Sequence, residues 1–377
     1  MAALIDVENY LKKKYDIKEN LINGLLYITD KKSDKTILLN ENSLWRELIN
    51  NRFSIRLANL ISLLKSDFTN KFNPIQDYFT AVSKRKVKDD PIAILCSYIE
   101  VTGSHADFEL SLKKHLVRAV AGAINDQVFN KHCFVLVSKE QNNGKSTLCR
   151  WLCPDQLKNY YTENITTDKD SLIALSENFL INLDELSTLM KSEINSLKAV
   201  FSKDYVKVRR PYEKKAIISK RICTFLGSTN RSEFLTDESG SVRWICFEIK
   251  KINWKYKQTI NIDDIWTYAY FLYKNNFDYN LKLTEISENE DRNKSYSITN
   301  IEEELIIKTF YPALENDLNS IFLTASDILI KLNEKYTLKN NINIISVGKA
   351  MTKLGFERKQ KWNGKYQEKG FWVHESK

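Results

Sequence analysis

The sequence has 377 residues, of which 43% are hydrophobic and 11% aromatic, and its formal net charge is +9. This composition supplies enough apolar surface for buried cores, so it excludes a chain that is disordered throughout, and the length favours about two or three domains. No apolar run approaches the roughly 18 residues that a transmembrane helix needs. The N-terminus also lacks the charged-then-apolar order of a secretory signal, so we expect a cytoplasmic protein with no membrane partner.

Residues 1–75 are predicted to form a mostly helical accessory region, with a hairpin in "LLYITDKKSDKTILL" (residues 25–39). Asn73-Pro74 then predicts a turn followed by the first turn of a helix. Residues 76–128 form a predicted helical lead-in or collar, because "FELSLKKHLVRAVAGAI" keeps apolar residues on one helical face.

Residues 129–280 alternate short β-branched runs with helical stretches. The runs are "HCFVLVS", "NFLINLDEL", "KRICTFLGSTN" and "VRWICFEI". Continuous apolar runs of this length are typical of strands buried on both faces, and their alternation with helices predicts an α/β domain with a parallel or mixed sheet.

The remaining residues divide into two parts. Acidic, lysine-rich residues 281–299 are predicted to be a linker or a solvated helix. Residues 300–377 contain two short helices and then a β-hairpin, in which Asn363-Gly364 suits a type I′ turn. That order of elements predicts a winged-helix domain.

Six cysteines are spread through the chain, and no histidine lies near enough to complete a zinc pattern. We expect reduced, buried or half-buried thiols. Positive charge, by contrast, is concentrated in residues 203–221 and 351–377. Two such clusters favour a polyanionic partner, because each lysine or arginine beside a phosphate releases counterions; either cluster alone also fits a solvated surface.

The stretch "QNNGKSTL" has the end of a phosphate-binding loop, placed after a predicted strand and before a predicted helix. Lys145 would neutralise the β- and γ-phosphates of ATP, and the Ser146 hydroxyl would coordinate Mg²⁺. Lys139 occupies the position at which such loops have their first glycine. A lysine is energetically unfavourable there if φ must be positive. The short string also arises by chance, so its placement carries the prediction. The expected nucleotide contacts are Gln141, Asn142, Asn143, Gly144, Lys145, Ser146 and Thr147.

Polar or charged residues end two of the predicted strands and begin another. Asp184 would hold Mg²⁺ and Glu185 would polarise the attacking water, although an acidic helix cap is the alternative. Asn230 would sense the γ-phosphate or simply form a turn. Arg243 could pair with Asp237 or Glu238, or reach the γ-phosphate of an adjacent subunit.

The order of these strings resembles the helicase domain of the virulence-associated protein E family, relatives of the superfamily-3 and poxvirus-type primase-helicases. The resemblance covers residues 73–273, and its carriers are "VLVSKEQNNGKSTL", "FLINLDELSTLMKSEINSLKAVFSKDYVKVRRPYEKKA", "CTFLGSTNRSEFLTDESGSVRW" and "IWTYAYFLY". It implies a P-loop AAA+-type ATPase core. The fold predicted for the whole chain is therefore this α/β core together with the helical N-terminal region and the C-terminal winged-helix domain that the flanking residues indicate. Such ATPases form a ring, here expected to be a hexamer, that moves along single-stranded DNA. Priming is expected to come from a separate primase.

By position, the resemblance assigns Lys145 and Ser146 to Walker A and Asp184 and Glu185 to Walker B. Asn230 looks like sensor 1 and Arg243 like the finger that acts on the neighbouring subunit. Val242 departs from the family, which commonly has a second arginine there.

The resemblance also implies that a basic hairpin projects into the ring pore and contacts single-stranded DNA. Its expected DNA contacts are Lys207, Arg209, Arg210, Tyr212, Lys214 and Lys215. In the winged helix, residues 346–354 would lie in the major groove of duplex or forked DNA, unless the module binds protein. Its expected backbone contacts are Lys359, Lys361 and Lys365.

Two functions remain open from sequence. One is an ATP-dependent replicative DNA helicase of a mobile element or phage, favoured by Glu185 together with Arg243. The other is a non-unwinding initiator or scaffold that binds ATP as a switch, favoured by Lys139. A third possibility, a small-molecule P-loop kinase, is disfavoured. The sequence shows no substrate lid of the kind such kinases have, and this function would explain neither basic cluster.

Overall fold

The computed structural model describes residues 4–166, 168–186, 189, 191–209, 215–231, 233–235, 241–298, 301–336 and 342–376. The chain forms two compact units, of which the first comprises Met1–Ser232 and Val242–Asn293. The second unit comprises Glu233–Ser241 and Lys294–Lys377. Among the described helices, none is both long and apolar enough to cross a lipid bilayer.

The first unit begins with a four-stranded sheet in the order β3-β2-β1-β4, packed with three helices. The elements are α1 (Leu4–Lys14), β1 (Tyr15–Asn20), β2 (Leu26–Asp30), β3 (Lys35–Leu38), α2 (Glu41–Asn50), α3 (Leu57–Leu64) and β4 (Asn70–Phe72). Strands β2 and β3 form the predicted hairpin. The expectation of a mostly helical region misses this sheet, because β1 follows α1 without a break and buries only two of its six residues.

The predicted turn at Asn73-Pro74 is confirmed, since the Asn73 side chain accepts hydrogen bonds from the backbone N–H groups of Ile75 and Gln76. The following elements are α4 (Pro74–Val82), α5 (Pro91–Ser97), β5 (Ile99–Val101) and α6 (His105–Ile124). Strand β5 interrupts the predicted helical lead-in and joins the main sheet as an antiparallel edge. Three residues are too few to produce a period-two signal in the sequence.

The main sheet has six strands in the order β5-β12-β6-β11-β8-β7, and its pairings are parallel apart from that of β5. Every residue of β6, β8 and β11 is buried, as their apolar runs predicted. The elements are β6 (Cys133–Val137), α7 (Lys145–Trp151), a 3-10 helix (Asp155–Tyr160), β7 (Tyr161–Glu163), α8 (Lys169–Glu177), β8 (Leu180–Leu183), α9 (Lys191–Phe201), β9 (Tyr205–Val208), β10 (Ile217–Lys220), β11 (Thr224–Thr229), β12 (Trp244–Ile252), α10 (Tyr256–Thr259) and α11 (Ile262–Lys274). All six cysteines are buried and unbridged in the fold, which confirms the expected burial of the thiols.

The stretch expected to be a linker or solvated helix is helix α12 (Leu283–Lys294), and much of it is not solvated. Asn289 and Asn293 are buried and donate to the backbone carbonyl of Trp244, each at 2.8 Å. The Arg292 guanidinium lies 4.0 Å from the ring centroid of Phe247. The buried side chains of this helix are asparagine amides and the stem of an arginine. The polar composition of the helix therefore gives no sign in the sequence that one of its faces is buried.

The second unit has its own apolar core beneath a sheet in the order β13-β16-β14, with β15 paired to β16. Its elements are α13 (Ile301–Thr309), β13 (Phe310–Pro312), β14 (Ile321–Thr324), α14 (Ala325–Tyr336), α15 (Ile344–Lys353), β15 (Arg358–Trp362) and β16 (Gln367–Glu375). Both predicted helices and the hairpin are present. The turn is not type I′, however, because φ is positive at Gly364 (96°) and not at Asn363. The Asn363 side chain instead accepts from the N–H groups of Lys365 and Tyr366.

Candidate functional site

The loop between β6 and α7 has two left-handed residues, Asn142 (φ 58°) and Gly144 (φ 93°). Gly144 is the residue on which α7 begins. Lys139 does not have a positive φ, so the lysine in place of the expected glycine carries no left-handed strain. Asparagine tolerates that conformation, and the loop therefore curls with the residues it has.

Lys145 points back into this loop. Its Nζ donates to the Glu140 carbonyl (3.0 Å), to Asn143 Oδ1 (3.0 Å) and to Asn230 Oδ1 (2.8 Å). The residue is only 5% exposed, and this burial lowers the pKa of the amine. Those three acceptors are uncharged oxygens, so an anion placed there would meet a cation that they have oriented but not neutralised.

Asp184, directly after β8, is the centre of a second group of polar side chains. Its carboxylate accepts from the Ser146 hydroxyl (2.6 Å) and from the Ser228 hydroxyl. Its backbone N–H donates to Asn164 Oδ1 at 2.8 Å, and Arg150 Nη2 lies 3.5 Å from its other oxygen. The carboxyl end of β8 is thus joined to the first turn of α7 and to the end of β11.

Glu185 is exposed and has a φ of 54°, an uncommon value for a residue with a long side chain. Such backbone strain persists where surrounding structure imposes it, which is often at functional sites. The left-handed turn at Glu185 follows immediately on Asp184 and keeps both carboxylates beside the loop.

These groups line one cavity of about 420 Å³ at the carboxyl edge of the parallel strands, where α/β sheets bind ligands. All seven expected nucleotide contacts belong to its lining, as do Asp184, Glu185 and Asn230. The full described lining is Gln141, Asn142, Asn143, Gly144, Lys145, Ser146, Thr147, Arg150, Asp184, Glu185, Ser228, Thr229, Asn230 and Trp254.

The oxygen donors of this cavity suit Mg²⁺. The Asp184 carboxylate and the hydroxyls of Ser146 and Ser228 are hard ligands that already converge within hydrogen-bond distance. The described residues contain no cluster of three or more His, Cys, Asp or Glu side chains that could enclose a metal. Mg²⁺ typically binds through one or two carboxylates with waters and substrate phosphates rather than in an all-protein cage, so the donor set fits.

Arg243 lies at the amino-terminal end of the parallel strands, opposite the end at which the cavity lies. Its carbonyl accepts from the N–H of Cys133, the first residue of β6, whereas the cavity begins after the last residue of that strand. A strand of this length spans about 16 Å at 3.3 Å per residue. Arg243 Nε donates to the Ser202 hydroxyl at 3.0 Å. The expected partners Asp237 and Glu238 lie outside the described residues.

The basic segment forms the predicted hairpin, because β9 and β10 pair antiparallel with Val208 opposite Ile217. Lys207, Arg209 and Lys215 are exposed on it. Arg210, Tyr212 and Lys214 lie outside the described residues. The base of the hairpin is anchored by Arg221, whose guanidinium donates to the carbonyls of Val200, Phe201, Lys203 and Asn130.

In the second unit, the expected DNA contacts Lys359, Lys361 and Lys365 are all exposed on the β15–β16 hairpin. Lys359 pairs with Glu357, and Lys361 lies 4.6 Å from the ring centroid of Trp372. Helix α15 begins with a capping box at Asn343 and Ser346.

Sequence reasoning missed four residues of the cavity lining, which are Arg150, Ser228, Thr229 and Trp254. Ser228 had a usable signal, because side chains two residues apart on a strand share a face and Asn230 follows it by two. Arg150 is four residues after Ser146, one helical turn along α7. Trp254 follows β12 and had no sequence signal.

Alignments with solved structures extend over nearly the whole chain. The apo structure of the NrS-1 C-terminal region has 13% sequence identity and a TM-score of 0.54, covering 97% of this chain and 98% of that one. Its A form has the same identity and coverage with a TM-score of 0.51. SCCmec type IV Cch, described as an active helicase, has 11% identity and a TM-score of 0.40, covering 96% of this chain and 93% of its own.

No curated protein sequence matches this chain. Residues 82–298, more than half of the sequence, match the family described as the virulence-associated protein E-like domain. This range contains the whole cavity, the basic hairpin and Arg243. The chain belongs to the virulence-associated protein E-like domain family.

Proposed function

We propose that this protein is an ATP-hydrolysing P-loop motor of the AAA+ type that drives a replicative DNA helicase of a mobile element or phage. The observation that carries the proposal is the convergence of Lys145, Ser146, Asp184 and Asn230 in one cavity. A cation, a hydroxyl, a carboxylate and an amide so placed are the groups that nucleoside triphosphate hydrolysis requires.

The residues of the chain divide the work. The loop amides and Lys145 bind the β- and γ-phosphates, and Asn230 orients the Lys145 amine toward them. Ser146 and Asp184 would hold Mg²⁺, which supplies charge neutralisation on the phosphates. Glu185 orients the attacking water and accepts its proton. Asp184 is the group that holds Ser146 and Ser228 in register with the loop.

The position of Arg243 supports a site shared between subunits. This arginine lies about one strand length from the cavity of its own chain, so it serves the γ-phosphate of a neighbouring copy. A head-to-tail arrangement in which each copy completes the site of the next closes into a ring, and we propose a hexamer. The β9–β10 hairpin then faces the pore, where Lys207, Arg209 and Lys215 contact single-stranded DNA.

The second unit has the element order of a winged helix, and we propose that it binds duplex or forked DNA. Helix α15 would enter the major groove, and Lys359, Lys361 and Lys365 would contact the backbone. Priming would come from a separate primase.

DNA-stimulated ATPase and strand-displacement assays test this function. Lys145→Ala is expected to abolish both activities, and Arg243→Ala is expected to abolish hydrolysis while leaving nucleotide binding intact. Equal mixing of the two inactive variants should restore about one quarter of the wild-type ATPase rate, because random assembly gives one interface in four an intact cavity facing an intact arginine. No recovery on mixing would contradict the shared site.

The alternative, a non-unwinding initiator or scaffold, loses the argument that favoured it, since Lys139 does not occupy a left-handed position. It predicts that ATP is bound without DNA-stimulated turnover or strand displacement. That outcome with the wild-type protein would replace the helicase proposal.

A further inference from the structure

The turn after β12 brings an indole against the phosphate loop. A Cβ built on Gly144 would lie 2.9 Å from both Cη2 and Cζ2 of Trp254. Only a residue without a side chain allows this approach, so Gly144 is needed both for its positive φ and for the contact. Trp254 is therefore packed directly on the residue where α7 begins.

The backbone that carries Trp254 is fixed on both sides. The N–H of Asn253 donates to the carbonyl of Tyr98 at 2.8 Å, and the Asn253 side chain accepts from the N–H of Lys255 at 3.1 Å. Tyr256 is fully buried and packs edge-on against Trp151 at 4.8 Å between ring centroids. A rigid turn thus presents the tryptophan, while 46% of its surface stays exposed.

The chemistry around this indole suits a flat aromatic group attached to phosphates. Among the described residues that line the cavity, Trp254 is aromatic and the others are mostly polar. Lys257 Nζ lies over the ring, 5.0 Å from its centroid, and adds positive charge at the same place. A diphosphate held by the loop leaves its nucleoside to extend outward, and the exposed ring at the mouth offers the surface on which a base can stack.

We propose that Trp254 is the base-binding platform of the nucleotide site. It binds the face of the base by stacking, so it selects for a large aromatic ring and not for the hydrogen-bonding edge of adenine. Purine nucleotides are then bound more tightly than pyrimidine nucleotides, and a phosphate chain without a base is bound without help from Trp254. This inference rests on the proposed nucleotide site and specifies what that site recognises.

The experiment measures binding of ADP, GDP, UDP and pyrophosphate by calorimetry, because none of these probes is turned over. Trp254→Ala is expected to weaken ADP and GDP by about 5- to 150-fold, the range that corresponds to loss of one aromatic–base stack. Trp254→Phe keeps a ring and should recover most of the affinity. Pyrophosphate binding should be unchanged in both variants.

Two controls separate this inference from the function on which it rests. Lys145→Ala should weaken ADP and pyrophosphate alike, and its failure to do so would count against the phosphate site itself. Trp362→Ala removes another exposed tryptophan, 62% exposed on β15, and should change neither ligand. The platform is refuted if Trp254→Ala leaves ADP affinity unchanged or weakens pyrophosphate as much as ADP.

Discussion

Substituting Gly144 with alanine separates two costs that the structure places on one residue. The first is the left-handed backbone, worth about 1–2 kcal/mol for a residue with a Cβ. An alanine at position 103 would incur only this backbone cost, because the φ of Gly103 is 88° and no atom lies within 4 Å of an added Cβ. Gly103→Ala is therefore the matched control for Gly144→Ala, whose φ of 93° is almost the same.

The second cost is the overlap with Trp254. An added Cβ would lie 2.9 Å from two indole carbons, against the roughly 3.5–4.0 Å at which carbon atoms normally pack. The ring is half exposed and can rotate about its own bonds, so the cost falls at the lower end of the range for overpacking, about 1 kcal/mol. We expect Gly144→Ala to lower the free energy of unfolding by about 1 kcal/mol more than Gly103→Ala.

Urea unfolding of the two single variants, repeated in a Trp254→Ala background, measures this difference as a double-mutant cycle. The excess loss at Gly144 should disappear when the indole is absent, whereas the loss at Gly103 should stay the same. Equal losses at the two glycines in the native background would refute the contact. An excess that survives removal of the indole would show that the loop, and not Trp254, resists the Cβ.

Three further predictions concern burial and charge. Burial lowers the pKa of His132 to about 2 and that of His115 well below its ordinary 6.5, so both stay neutral in the fold. Below pH 6.5 these histidines bind protons in the unfolded chain but not in the folded chain. The free energy of unfolding should therefore fall by up to about 1.4 kcal/mol per pH unit for each histidine. Urea unfolding between pH 7 and 5 should show a smaller dependence on pH for His132→Gln, because that variant lacks the contribution of His132. Arg221→Met leaves four backbone carbonyls without their donor and should cost about 3 kcal/mol or more in urea unfolding, an expectation that a loss below 1 kcal/mol would contradict. Lys207→Gln with Arg209→Gln should flatten the dependence of single-stranded DNA affinity on log salt by about 0.7 per residue in binding titrations, and an unchanged slope would place the DNA elsewhere.

The sequence predicts the position of the loop between β6 and α7 and the polar ends of the neighbouring strands well. Strand β6 is an uninterrupted apolar run, and the residues after it have a spacing with few structural uses. Asp184 and Asn230 both follow buried strands, and the carboxyl ends of parallel strands share one edge, so their approach to Lys145 could be anticipated. The family resemblance, which covers residues 73–273, agrees with the family match over residues 82–298.

Short or polar elements escaped prediction because periodicity needs length and apolar contrast. Strand β5 has three residues, and the N-terminal strand β1 buries one apolar residue and one asparagine. Helix α12 looks solvated in sequence because its buried contacts are made by Asn289, Asn293 and Arg292. A hydrophobic pattern cannot reveal an element that is very short or whose buried contacts are made by polar side chains.

By itself the sequence predicted a phosphate-binding loop and its residues, because a loop of fixed spacing between a strand and a helix is a local property. Only the tertiary structure decided which strands are neighbours. Placing β11 between β6 and β8 brings Ser228 to Asp184 and Asn230 to Lys145. The same sheet sets Arg243 at the far edge and folds Trp254 back onto Gly144. These arrangements depend on pairings between residues far apart in the chain, whose energies come from packing that no local pattern records.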